Sequence, residues 1–184
     1  RLKRELPRLK LMLYEHQTAP LLEKLRAGEI DMGILALPVP LDGLEAETLY
    51  DEAFTLAVPA GHRLADHERV RVEDLKGETL LLLEDGHCLR DQALEVCSRI
   101  RVQEEQDYRA TSLETLRQMV AAGHGVTLMP QLAAESPVGG ARGMRTKAFV
   151  RPAPTRTLGA FWRKSATRAL AIAATASSVR AAMT

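Results

Sequence analysis

An amphipathic helix that stops at a glycine and runs at once into a largely apolar stretch of strand length leaves few folds open to this chain. Residues 20–25 (PLLEKL) place apolar side chains at helical spacing behind a proline suited to a first helical turn, and Gly28 closes the pattern. Residues 30–37 (IDMGILAL) then read as a strand buried on both faces, and residues 9–14 (LKLMLY) as a strand before the helix. Pro38, Pro40 and Gly43 interrupt the pattern ahead of a long strand within residues 47–59, which ends at the turn Pro59-Ala60-Gly61-His62.

A second block repeats the alternation. Residues 80–83 (LLLL) read as a short buried strand, and Glu84-Asp85-Gly86-His87 as a turn that launches a helix through Cys88, Leu94 and Cys97. Thr111-Ser112-Leu113-Glu114 fits a capping box with Thr111 as N-cap and Glu114 reaching back. That helix runs to Gly123, and residues 125–129 form the next strand. Residues 149–151 and 157–163 are strands around a proline-rich turn, and an alanine-rich helix covers 167–183. There is no internal repeat. Strands alternating with helices predict an α/β protein with a mainly parallel sheet, divided into two Rossmann-like subdomains with a cleft. Ligands in such sheets favour the carboxyl ends of strands, which marks the turn from Glu84 to Cys88 as a candidate site.

Composition narrows the function classes. With a formal net charge of +1, nothing advertises a basic nucleic-acid surface, so any DNA contact belongs to another segment. No apolar run approaches the roughly 20 residues of a membrane span, and residues 1–7 (RLKRELP) are too charged for the core of a signal peptide. The chain reads as a fragment that begins inside a helix. Its 2 cysteines in 184 residues are too few for a secreted disulfide scaffold, which fits a cytoplasmic protein.

Those cysteines are either inert packing or specific chemistry. Cys88 sits where a helix begins, beside His87 and Arg90, and the free N–H groups of a helix start favour thiolate, the form that attacks peroxide. Glu84, Asp85 and Asp91 oppose ionisation unless they are paired elsewhere. Free cysteine is also among the most buried residue types, so the bland reading stays open. Cys97 lies nine residues on, and a regular helix would hold the two Cα atoms about 13 Å apart on opposite faces. A disulfide needs them within about 7 Å, so it would have to unwind the segment, or the segment is not helical. His87-Cys88 with a distant Cys97 lacks the spacing of a zinc site, and neither metal nor cofactor is expected.

Residues 83–93 (LEDGHCLRDQA), with a cysteine nine residues after the first, resemble the hydrogen-peroxide sensors among the LysR-type transcription regulators, the OxyR group. Residues 109–117 (RATSLETLR), 119–123 (MVAAG) and 127–130 (TLMP) carry the same resemblance, which extends over essentially the whole chain. Two looser patterns, LxxGxxDxGI at 25–34 and GxGxxxxP at 123–130, are shared by LysR-type effector domains in general. The resemblance implies an effector domain like a periplasmic binding protein. Residues 1–53 plus 165–184 would form subdomain I, without its opening strand, and 54–164 subdomain II. The winged helix-turn-helix lies outside this chain.

The resemblance further implies that Cys88 is the peroxidatic thiol and Cys97 the resolving thiol, joined as a disulfide after oxidation. It carries over a peroxide pocket of Thr18, His87, Arg90, Asp91 and Arg163. Each has a plainer reading: Thr18 as a helix cap, Arg90 and Asp91 as a solvated helix turn, and Arg163 as a surface residue at a strand end. His16, His62, His67 and His124 read as surface residues. The implied partners are hydrogen peroxide, a cellular dithiol reductant, operator DNA through the absent N-terminal domain, RNA polymerase, and copies of the chain in a homodimer that assembles to a homotetramer. Such a protein is an activator in the oxidative stress response and not an enzyme. Two alternatives are a thiol peroxidase and a small-molecule-responsive LysR-type regulator with incidental cysteines. Departures from the group fall at residues 98–106 and at Asp107-Tyr108, where many members have a histidine before the aromatic residue.

Overall fold

The computed structural model describes residues 2–98, 100–105, 108–135 and 142–183. In chain order the elements are α1 (Leu2–Glu5), α2 (Thr18–Ala27), β1 (Gly33–Ala36), β2 (Leu44–Pro59), β3 (Arg69–Val70) and a 3-10 turn (Val72–Leu75). There follow β4 (Thr79–Leu80), α3 (Cys88–Cys97), β5 (Gln103–Glu104), α4 (Leu113–Ala121), β6 (Thr127–Pro130), α5 (Gln131–Glu135), β7 (Met144–Phe149), β8 (Thr155–Arg163) and α6 (Ala169–Met183). The chain forms two compact units, Arg1–Asp51 with Arg156–Thr184, and Glu52–Thr155.

In the first unit, α2 turns Leu21, Leu22 and Leu25 inward against Leu35, Leu44 and Phe161. Those three leucines lie on one helical face, which is why the segment forms a helix on a sheet and not a loop. Gly28 ends it in the left-handed region (φ 84°), with its N–H donating to the Leu25 and Lys24 carbonyls. β1 pairs antiparallel with β8, Gly33 opposite Phe161 and Ala36 opposite Leu158. On the other side of β8 lies β2, and α6 packs Ile172 and Ala176 on Leu49, Ala160 and Trp162.

Several expectations are corrected here. Residues 9–14 are not a strand: Leu11, Met12, Leu13 and Tyr14 are exposed, and no described strand lies hydrogen-bonded along them. An extended segment becomes a strand only when a neighbour takes up its backbone N–H and C=O groups, and apolar alternation cannot supply that neighbour. These side chains instead line a cavity of about 360 Å³ opposite Met32, Gly33 and Ile34. Ile34 of β1 is accordingly exposed, while Gly33, Leu35 and Ala36 are buried. By contact the first unit takes up the chain again at Arg156, because β8 is hydrogen-bonded to β1. The sheet is not mainly parallel either. β7 and β8 return late in the chain and run antiparallel to β2 and β1, and β6 is antiparallel to β2. Among the described residues, parallel pairing is seen for β3 with β7, β4 with β5, and the bridges Leu80–Val126 and Leu83–Ala110.

The second unit is organised around the latter half of β2, whose residue Thr55 faces Met129 of β6 on one side and Ala148 of β7 on the other. Phe54, Leu56, Leu80 to Leu83, Leu116, Val120, Leu128, Met129 and Phe149 fill its core. α4 starts one residue later than expected. Its N-cap is Ser112, whose hydroxyl accepts from the Thr115 N–H, while Glu114 accepts from Gln118 and does not reach back. Gly125 admits a close backbone approach. A Cβ there would stand 2.5 Å from the Thr79 carbonyl oxygen, which accepts from the Val126 N–H in the parallel contact beneath the candidate site. Gly125→Ala should therefore overpack the core, at a cost of about 1–3 kcal/mol. Calorimetry should show Tm lower by several degrees, roughly 2–4 °C per kcal/mol for a chain this size. An unchanged Tm would show that the strands can part without loss.

Candidate functional site

α3 begins at Cys88 and ends at Cys97, so the helix carries one cysteine at each terminus. Its buried stripe is Leu89, Ala93 and Cys97, spaced four and four, which packs into the core of the second unit. The same stripe draws the second cysteine inside. Cys97 is 2% exposed, and burial pushes its thiol up to about 11. Cys88 is half-buried at the other end, and both thiols are free. At about 1.5 Å per residue their Cα atoms lie near 13 Å apart on opposite faces, well beyond bonding reach. The helical alternative left open by the sequence is the one adopted.

His87 is the N-cap residue of α3, half-buried, with no capping hydrogen bond from its side chain. Its carbonyl accepts from the Arg90 N–H. Asp91 is exposed in the first turn, where a carboxylate interacts favourably with the helix dipole.

Arg90 turns away into a closed ring of charge. Its Nε donates to Asp85 at 2.8 Å and its Nη1 to Glu104 at 2.8 Å. Arg109 completes the ring, with Nη1 2.6 Å from Asp85 and Nη2 3.5 Å from Glu104. Burial works against the Arg90 charge, but its hydrogen bonds and charge interactions with Glu104 and Asp85 outweigh that, and its pKa is raised. Asp85 is thus paired with two guanidinium groups. Glu104 has no signal in the sequence, because only the folding of β5 against β4 sets it opposite Arg90.

Thr18 and Arg163 belong to the first unit. Thr18 is the first residue of α2 and Gln17 is its N-cap, so Thr18 is not the cap. Arg163 Nη1 donates to the carbonyls of Leu25 at 2.7 Å and Ile30 at 3.2 Å, tying down the end of α2. Its guanidinium lies 3.2 Å from where a Cβ on Gly28 would be, a second reason for glycine there. Among the histidines, His16, His67 and His124 are exposed as expected. His62 is not: it is half-buried, with Nε2 3.0 Å from Glu78. Asp107 lies outside the described residues.

Residues 1–184 match the LysR substrate binding domain family from end to end. This chain belongs to that family. It is 45% identical over 157 residues to the DNA-binding transcriptional dual regulator OxyR of Escherichia coli K12, a match covering 85% of this chain and 51% of that protein. The chain thus spans about half the length of this curated relative. Among solved structures it superposes on the reduced form of OxyR with a TM-score of 0.86 at 41% identity, and on the oxidised form with 0.85 at 42%. In each case 99% of this chain and 85% of the other are covered. The fold is therefore the α/β, periplasmic-binding-protein-like fold of LysR-type effector domains. Among the described residues no helix is long and apolar enough to cross a membrane.

Proposed function

We propose that this LysR-type domain is the hydrogen-peroxide-sensing part of a transcription regulator, with Cys88 as the reacting thiol and Cys97 as its partner. The observation that carries the reading is the placement of two free thiols at opposite ends of one helix. It is joined by similarity to proteins solved in a reduced and an oxidised form. The Cys88 thiolate attacks one peroxide oxygen; the O–O bond breaks, and the departing hydroxide takes a proton to become water, leaving a sulfenic acid. Cys97, once out of the core, gives up its proton to the sulfenic hydroxyl as the S–S bond forms, and a second water leaves. A cellular dithiol reverses the bond by exchange. The reaction is stoichiometric signalling, which separates it from a peroxidase that turns over.

With a net charge of only +1, DNA contact is assigned to a segment outside these 184 residues. Operator DNA, RNA polymerase and a homodimer that pairs to a tetramer are the partners of the whole regulator in this reading. Free-thiol counting tests it. The reduced protein should titrate two thiols, and none after a single stoichiometric dose of peroxide, with both restored by dithiothreitol. Two thiols remaining after the dose would overturn the reading in favour of a regulator answering a small molecule.

A further inference from the structure

The ring of Asp85, Arg90, Glu104 and Arg109 is larger than local helix capping needs, and its members are spread in a telling way. Asp85 sits in the turn before α3, and Arg109 immediately before the Leu83–Ala110 bridge. Both flank the stretch that a Cys88–Cys97 bond would have to remodel. Arg90 and Glu104 lie inside that stretch, one on α3 and one on β5. The Arg90 side chain is 10% exposed and Glu104 25%. A guanidinium so far from solvent is tolerated only while its carboxylates stay in place. If β5 leaves β4, Glu104 leaves with it, and Arg90 keeps Asp85 alone.

We infer that this charge ring is a latch on the reduced conformation, with Glu104 and Arg109 as positioning residues that set the thiol–disulfide equilibrium of the cysteine pair. The inference rests on the proposed Cys88–Cys97 switch and adds its regulation. Neither residue need touch peroxide or either sulfur. The ring stabilises the form in which α3 and β5 are both folded, and that stabilisation is lost on oxidation. Weakening it should leave the oxidised form untouched and make the disulfide harder to reduce.

The test equilibrates the chain in buffers of reduced and oxidised dithiothreitol and reads the fraction of Cys88–Cys97 disulfide. Glu104→Gln keeps the shape and removes the charge. It should raise the oxidation equilibrium constant at least tenfold, a midpoint about 30 mV more negative for a two-electron couple. Sulfenic acid formation at Cys88, followed in a Cys97→Ser background, should keep its wild-type rate. Glu114→Gln, an exposed change on α4 outside the ring, should leave the midpoint where it was. If Glu104→Gln does not fold, Arg109→Gln at the more exposed corner gives the same readout. A disulfide that forms normally with an unmoved midpoint in the ring variant would overturn the latch and spare the switch. Failure of the wild-type chain to form the disulfide at all would overturn the switch itself.

Discussion

Cys88→Ser should abolish the rapid reaction with stoichiometric peroxide, while Cys97→Ser should keep the first step and accumulate a sulfenic acid trappable at Cys88. The asymmetry follows from where α3 puts its ends. Cys88 is half-buried at the helix start, whereas Cys97 is 2% exposed with its thiol pushed up to about 11. A thiol titrating four units above neutral pH is ionised in roughly one molecule in 10⁴, so the thiol left in Cys88→Ser reacts only slowly. The residual rate should climb tenfold per pH unit on approach to 11. The same shift has a stability consequence. A folded-state pKa raised above its ordinary value of 9.0 stabilises the reduced fold fully below pH 9, and that contribution is lost as pH rises towards 11. Mass spectrometry after dimedone trapping reads the first prediction. Equal loss of first-step reactivity in both variants would refute the division of roles.

Oxidation should strip hydrogen-exchange protection from α3 and from the chain that follows it. The bond needs Cα atoms within about 7 Å, and an intact helix holds them near 13 Å, so at least one end must unwind. Backbone bonds tie the following segment to the sheet, among them Gly77 N–H to Arg101, Gln103 N–H to Glu78, and Glu105 N–H to Leu80. Extracting Cys97 pulls on that tether and on the packing of Ile100 and Val102 against the core. Each bond not replaced costs on the order of 1 kcal/mol, a sum the oxidation by peroxide readily exceeds. Amides of Gln103 and Glu105 and those late in α3 should exchange faster by roughly tenfold to a hundredfold in the disulfide form. Those of β2 and β6 should hold their reduced-state rates. Equal protection across residues 88–105 in both redox forms would mean that the sulfurs meet without remodelling.

Much of this protein was legible in its residues. The helix at 88–97 announced itself through the turn Glu84-Asp85-Gly86-His87 and the run through Cys88, Leu94 and Cys97, because helical periodicity is local and needs no knowledge of what packs against it. The same is true of α2 and its Gly28 stop. Pairing was not legible. Residues 9–14 alternate like a strand yet have no described strand partner, and β7 and β8 run antiparallel where local alternation suggested parallel neighbours. Strand direction and partner are chosen by elements a hundred residues away, and the sequence near a strand holds no record of them.

The candidate site divides along the same line. By itself the sequence determined that a thiol would stand at a helix start beside His87 and Arg90, with a second thiol nine residues on. Tertiary structure decided what surrounds them. Core packing buried Cys97 and raised its pKa, the end of α2 took up the Arg163 guanidinium, and the pairing of β4 with β5 brought Glu104 to Arg90 and, with Asp85 and Arg109, closed the charge ring. Ionisation and ion pairing depend on distance and desolvation through space, and neither is a property of position along the chain.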